Sequence, residues 1–347
     1  MSPAWYETPA RKHAILRIAV GASLAFVVSE LMGWYPTFLA PILVITLLAS
    51  LPAPLPLKGG AVLMLVQSTG AFSAFALSSF LRERPIVLIG VIGLILFQSF
   101  SIIARGKGFF PLLLVLVCYS TIPIVTMTTP AQAGGLPIAF VRGMAVALVT
   151  TWLVHGVWPL VSIKAAAASG TQRVQPFYLA LAGTAIVLPL MTIYLLYGLT
   201  DALPVLITTV VLVVNFDASR GALQGLAMIL ANCIGGFIAV AAHSMLQIAP
   251  SLFTLAGITF AIGVVFARRI EKGGAGGTVA MITFNQAIIM LSLGLIPGPS
   301  NAGIWASRVL QFAIAYAFAV GMMYLLLPRA TGSGPAKSQK ERRRVSA

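Results

Sequence analysis

Long apolar runs, broken at near-regular intervals by short polar or basic stretches, make up almost the whole chain. A membrane-spanning helix needs about 20 apolar residues, somewhat fewer where it is short or broken. By that measure the pattern predicts about twelve helical segments. They run at 14–32, 36–53, 59–81, 85–104, 108–128, 136–162, 176–198, 201–216, 221–245, 250–267, 277–296 and 300–327. The second and eighth are short and carry prolines, Pro36 and Pro41 in one and Pro204 in the other. The predicted fold class is all-α, a polytopic membrane protein.

Composition agrees. The chain is 59% hydrophobic and 8% charged, against about 25% charged residues in a soluble domain. The net charge of +15 would suggest nucleic acid in a soluble protein, but here topology accounts for it. With the N-terminus in the cytoplasm, all but four of the 22 Lys and Arg residues fall on the inner side, as the positive-inside rule requires. The four on the outer side are Arg82, Arg84, Arg142 and Arg308. This distribution favours an even number of spans, with both termini cytoplasmic in a bacterial inner membrane, and gives no reason to invoke nucleic acid. Arg11, Lys12 and Arg17 precede the first apolar run. No small-residue cleavage site follows, so the run reads as a retained helix and not a signal peptide.

The organisation is then a cytoplasmic N-terminus (1–13), a six-helix block (14–162), a linker (163–175), a second six-helix block (176–327) and a basic, polar tail (328–347). Six is even, so the two blocks enter the membrane in the same orientation, as parallel repeats. Weak echoes support duplication. Gly33-Trp34 and Gly198-Leu199 close the first helix of each half. Gln67 and Gly70 recur as Asn232 and Gly235, and Arg142 recurs as Arg308.

Arg142 and Arg308 are the leading candidates for chemistry. Each sits near the outer end of the sixth helix of its half. A charge at membrane depth is costly and marks a pairing or functional role. A guanidinium forks onto a carboxylate with two hydrogen bonds, so a symmetric pair suits a small organic anion. Snorkelling to the outer headgroups, or a bond to loop carbonyls, is the plain alternative. Buried amides come next: Gln67, Asn232, Asn285, Gln286 and Gln98 are expected to face the protein interior. They are placed either to line a substrate path or to tie helices together. Thr121, Pro123, Thr126, Thr128 and Thr129 in the fifth segment, with Thr278, Thr283 and Ser292 in the eleventh, suggest cavity-lining helices, and the proline suggests a break.

Acids number only seven. Glu30 lies well inside an apolar segment and is the first candidate proton carrier. Asp217, three residues before Arg220, is the second and equally suits a local ion pair. Asp201 reads as a helix cap. Cys118, Cys233, His155 and His243 read as packing residues. No catalytic, metal-binding or cofactor motif is present, so no enzyme activity, metal or cofactor is expected.

Several of these features coincide. Leu16-Arg17-Ile18-Ala19 leads into a helix ending at Gly33-Trp34-Tyr35-Pro36. A basic residue and glycine open the third helix, and an arginine followed by small residues opens the sixth. Over residues 14–327 this resembles the fusaric-acid-resistance-like superfamily of aromatic-carboxylate exporters and plant malate channels. Within it, the chain is most similar to a compact bacterial group of unknown function. The resemblance implies six plus six helices, export of small, often aromatic, organic acids, and a periplasmic adaptor of the haemolysin-secretion type. It places the family's arginine at Arg142 and Arg308 and its basic residue at Lys58 and Arg220. Typical members carry a large cytoplasmic domain after each block, where this chain has only a linker and a tail. A passive anion channel, a non-transporting assembly partner and a homo-oligomer remain open readings.

Overall fold

In the computed structural model the described residues are 9–51, 53–131, 133–159, 176–199, 203–215 and 221–295, with single positions between 310 and 325. Eleven α-helices have defined bounds, and no strand occurs among the described residues. They are α1 (Pro9–Leu31), α2 (Leu39–Ser50), α3 (Leu57–Phe80), α4 (Pro85–Ala104), α5 (Phe109–Thr128), α6 (Gly135–Val157), α7 (Pro176–Tyr197), α8 (Leu203–Asn215), α9 (Gly221–Ile248), α10 (Leu252–Ile270) and α11 (Gly274–Gly294). Helical residues also occur between 310 and 325. Nine of the described helices are long and apolar enough to cross a bilayer. As the prolines foretold, α2 and α8 are short, at 12 and 13 residues.

The backbone of each helix satisfies its own polar groups, which hydrocarbon demands. Glycine closes α1 and α7. Gly33 has φ 62°, its N–H bonds the Glu30 carbonyl, and the Trp34 N–H reaches back to the Ser29 carbonyl at 3.0 Å. This is the Schellman closure, which needs a left-handed residue. Gly198 repeats it, with φ 62° and the Leu199 N–H on the Tyr194 carbonyl.

Large apolar side chains face outward, among them Phe80, Ile86, Ile248 and Phe253. In water such exposure would be a liability; in a bilayer it is the lipid face. The helices differ sharply in depth. α5 and α11 are 72% and 78% buried, whereas α4 and α10 are each 28% buried. The first pair is therefore central and the second peripheral.

Packing follows a regular pattern. α3 lies on α5, and α9 on α11. α4 touches α5, and α10 touches α11. Between the blocks, α1 packs on α10 and α4 on α7, while α5 meets α8 and α2 meets α11. Adding six to each helix number of the first block, and subtracting six from each of the second, carries every one of these pairs onto its counterpart. Glycines set the closest crossings. A Cβ on Gly235 would lie 2.6 Å from the Thr283 carbonyl oxygen, so α9 and α11 meet backbone to backbone there.

The helix ends fall on two sides, here named inner and outer after the predicted topology. At the inner end Arg11 bonds Glu271 at 2.9 Å, and Trp152 donates to the Leu55 carbonyl. Thr37 and Ser292 meet at the outer end.

Two expectations are corrected. α5 runs unbroken through Pro123. The hydroxyls of Thr121, Thr126, Thr128 and Thr129 each donate to a carbonyl one turn back in the same helix. Such back-bonding spends the donors of the polar stripe internally. Gln98 does not face the interior; it is exposed on peripheral α4.

Candidate functional site

The outer ends of α1 and α6 converge around Arg142. The α1 closure at Gly33 delivers the Trp34 ring to the Arg142 guanidinium, whose central carbon stands 5.4 Å from the ring centroid. That distance is within cation–π range. α6 approaches α2 closely enough that a Cβ on Gly143 would sit 3.2 Å from the Leu39 Cβ. Ser29, Trp34, Tyr35, Pro36, Arg142 and Gly143 line a small recess. Arg142 Nε is buried without a partner, and no carboxylate pairs with the guanidinium among the described residues. The face of this cation is therefore covered by an aromatic ring, while its hydrogen-bonding edge is unspent.

Beside the recess, a polar chain crosses from α1 to α11. The Thr37 side chain lies beside the half-buried Glu30 carboxyl, and the Thr37 and Ser292 hydroxyl oxygens are 2.6 Å apart. Thr37 has one hydroxyl proton. When it donates that proton to the Glu30 carboxylate, it must accept from Ser292. The remaining carboxyl oxygen of Glu30 is buried and unpartnered.

The amides lie deeper, in two helix pairs. Gln67 on α3 is 1% exposed and donates to the Cys118 sulfur of α5 at 3.4 Å, while its carbonyl oxygen has no partner. Asn232 on α9 is buried, as are Asn285 and Gln286 on α11. The side-chain oxygens of Asn285 and Gln286 have no partner. Gly235, one turn beyond Asn232, meets Gln286. Asn232 and Gln286 thus belong to one packed pair, α9–α11, and Gln67 to the other, α3–α5. Cys118 and Cys233 are free thiols. Arg308, Asp217, Arg220 and Asp201 lie outside the described residues. Lys58 is exposed at the inner start of α3.

Four contributors carry little signal in the sequence. Trp34 reads only as part of a motif, nothing local marks Thr37, and Ser292 reads as one of a stripe of hydroxyls. Arg17 was counted as an ordinary inner-side charge, yet it is 7% exposed and donates from Nη1 to the Trp158 carbonyl at 3.2 Å. Its place within the predicted segment 14–32 is the available signal.

Residues 14–154 match the model of a family described as a protein of unknown function (DUF2955). That stretch contains Arg17, Glu30, Trp34, Gln67 and Arg142. No curated protein and no solved structure matches the chain.

Proposed function

We propose that this membrane protein exports small organic, chiefly aromatic, carboxylate anions across a bacterial inner membrane. The observation that carries the reading is Arg142: a permanently charged guanidinium at the outer end of a membrane helix, capped by Trp34 and lacking any described carboxylate partner. An anion is what such a group lacks, and the fork geometry selects a carboxylate. The resemblance to aromatic-acid exporters supplies the substrate class, and the partnership with a periplasmic adaptor rests on it alone.

Glu30 is the proposed proton carrier, with Thr37 and Ser292 as its hydrogen-bonded link to α11. Gln67, Asn232, Asn285 and Gln286 are proposed to meet the polar part of the substrate deeper in the membrane. The matched pairing of helices supports two parallel six-helix repeats, with Arg308 as the second block's counterpart of Arg142. Both termini are placed in the cytoplasm by the distribution of basic residues. Transport, not catalysis, is the activity in this reading.

The test is accumulation of a panel of labelled aromatic acids in cells with and without the protein. The reading predicts lower accumulation of at least one acid when the protein is present. Equal accumulation of every acid, with the protein correctly inserted, overturns it.

A further inference from the structure

Arg17 lies eight residues into α1, about 12 Å along the helix from Pro9 at a rise of 1.5 Å per residue. Its burial is nearly complete. Nη1 bonds the Trp158 carbonyl, and no carboxylate pairs with it among the described residues. Arg11, six residues earlier on the same helix, is a direct contrast, because it is ion-paired with Glu271 at 2.9 Å. His155 of α6 lies within the electrostatic reach of Arg17. Its Nδ1 is 2.8 Å from the Thr151 carbonyl. A carbonyl only accepts, so Nδ1 carries the hydrogen and Nε2 of the neutral ring is an acceptor. Among the described residues, Arg17 is the permanent cation of this inner cluster.

Arg17 precedes Glu30 by the same number of residues as Arg142 precedes His155, an axial run of about 20 Å in each helix. α1 and α6 run in opposite directions and pack on each other, with α2 touching both. Their seam therefore carries Arg17 and His155 at the inner end, and Glu30 and Arg142 at the outer end. Between them it is closed by apolar residues: Ala25, Val44, Leu47, Met144 and Ala147 share one buried cluster. Each end thus holds a guanidinium with no ion pair among the described residues, Glu30 at the outer end included, and a dry plug separates them. A buried ion with no counter-charge is strongly disfavoured, and a bound anion would relieve that.

We infer that Arg17 is the inner binding site for a small carboxylate, the partner of the outer site at Arg142, and that the anion moves along the α1–α2–α6 seam. This rests on the anion-export reading above. Passage requires displacement of the plug, and α2, the shortest helix with defined bounds, is the element that must move. The second block has no copy of the inner site, since Ala182 stands at the position corresponding to Arg17 at the 165-residue offset.

The test uses the full chain in phosphatidylcholine nanodiscs, with labelled benzoate as probe and equilibrium dialysis as readout. Arg17→Gln and Arg142→Gln are each expected to bind one benzoate fewer than the native protein. Arg11→Gln should bind as many as the native protein. Should Arg17→Gln not fold, Arg17→Lys keeps the charge and loses the fork, and is expected to weaken one site about tenfold while leaving the other unchanged. Undiminished binding by Arg17→Gln, or by Arg17→Lys, overturns the inner site. Loss of the Arg17-dependent site when phosphatidylglycerol is added assigns the pocket to a lipid headgroup and also overturns it. Loss of one benzoate in Arg17→Gln but not in Arg142→Gln supports the inner site and overturns the role given to Arg142.

Discussion

Trp34 lies over Arg142, with the guanidinium carbon 5.4 Å from the indole centroid, although the two residues are separated by four intervening helices, α2 to α5. The ring holds the cation in place, and the unpartnered Nε–H is left to fork. A cation–π contact contributes about 0.5–2 kcal/mol, depending on desolvation. Trp34→Leu should therefore raise KM for an aromatic acid by about twofold to thirtyfold, whereas Trp34→Phe should stay near the native value. Concentration-dependent efflux of the three proteins measures this. Equal KM values for native and Trp34→Leu protein would remove the ring from the site.

Arg142→Lys keeps the charge but not the planar fork. Hydrogen bonds to charged groups contribute about 1.5–3 kcal/mol each, so losing the bidentate geometry should lower transport about tenfold or more. Arg142→Gln should lower it further. Native-like flux in Arg142→Lys would mean that the charge alone matters, as in simple attraction of anions to the outer surface.

Glu30 separates a pump from a channel. Glu30→Gln preserves shape and cannot release a proton. It should abolish accumulation driven by a pH gradient while leaving Arg142-dependent benzoate binding intact. Thr37→Val, which removes the bond to Ser292, should weaken the same coupling. Unchanged gradient-driven flux in Glu30→Gln would instead favour a passive anion channel.

Gly235 and Gly257 test the packing. A Cβ at Gly235 meets the Thr283 backbone, whereas none of the surrounding atoms lies within 4 Å of a Cβ at Gly257. Gly235→Leu should lower the melting temperature in detergent by several degrees, and Gly257→Ala should leave it within experimental scatter. The reverse order would contradict the α9–α11 crossing described here.

Most of the helical layout was legible because hydrocarbon imposes a length and forbids unpaired backbone. The segment expected at 85–104 coincides with α4. The one expected at 277–296 is shifted by only two or three residues from α11. Arg142 stood out for a related reason, since the positive-inside rule does not account for it. Arg17 was hidden by that same rule, which explains any inner-side cation and says nothing of burial. The threonines of α5 misled because spacing marks a polar face but cannot tell whether the hydroxyls bond their own helix. Gln98 misled because an amide in an apolar run does not reveal which face of the helix meets the protein. The Trp34–Arg142 and Thr37–Ser292 contacts depend on how distant helix ends dock, and no local pattern encodes that.

In the proposed function a carboxylate crosses the membrane by way of Arg142. The most direct test is release of labelled benzoate from proteoliposomes containing the purified native chain or Arg142→Gln. The account predicts protein-dependent release by the native chain and at least tenfold slower release by the variant at equal incorporation. Equal rates for the two proteins, or no release above protein-free liposomes, would contradict it.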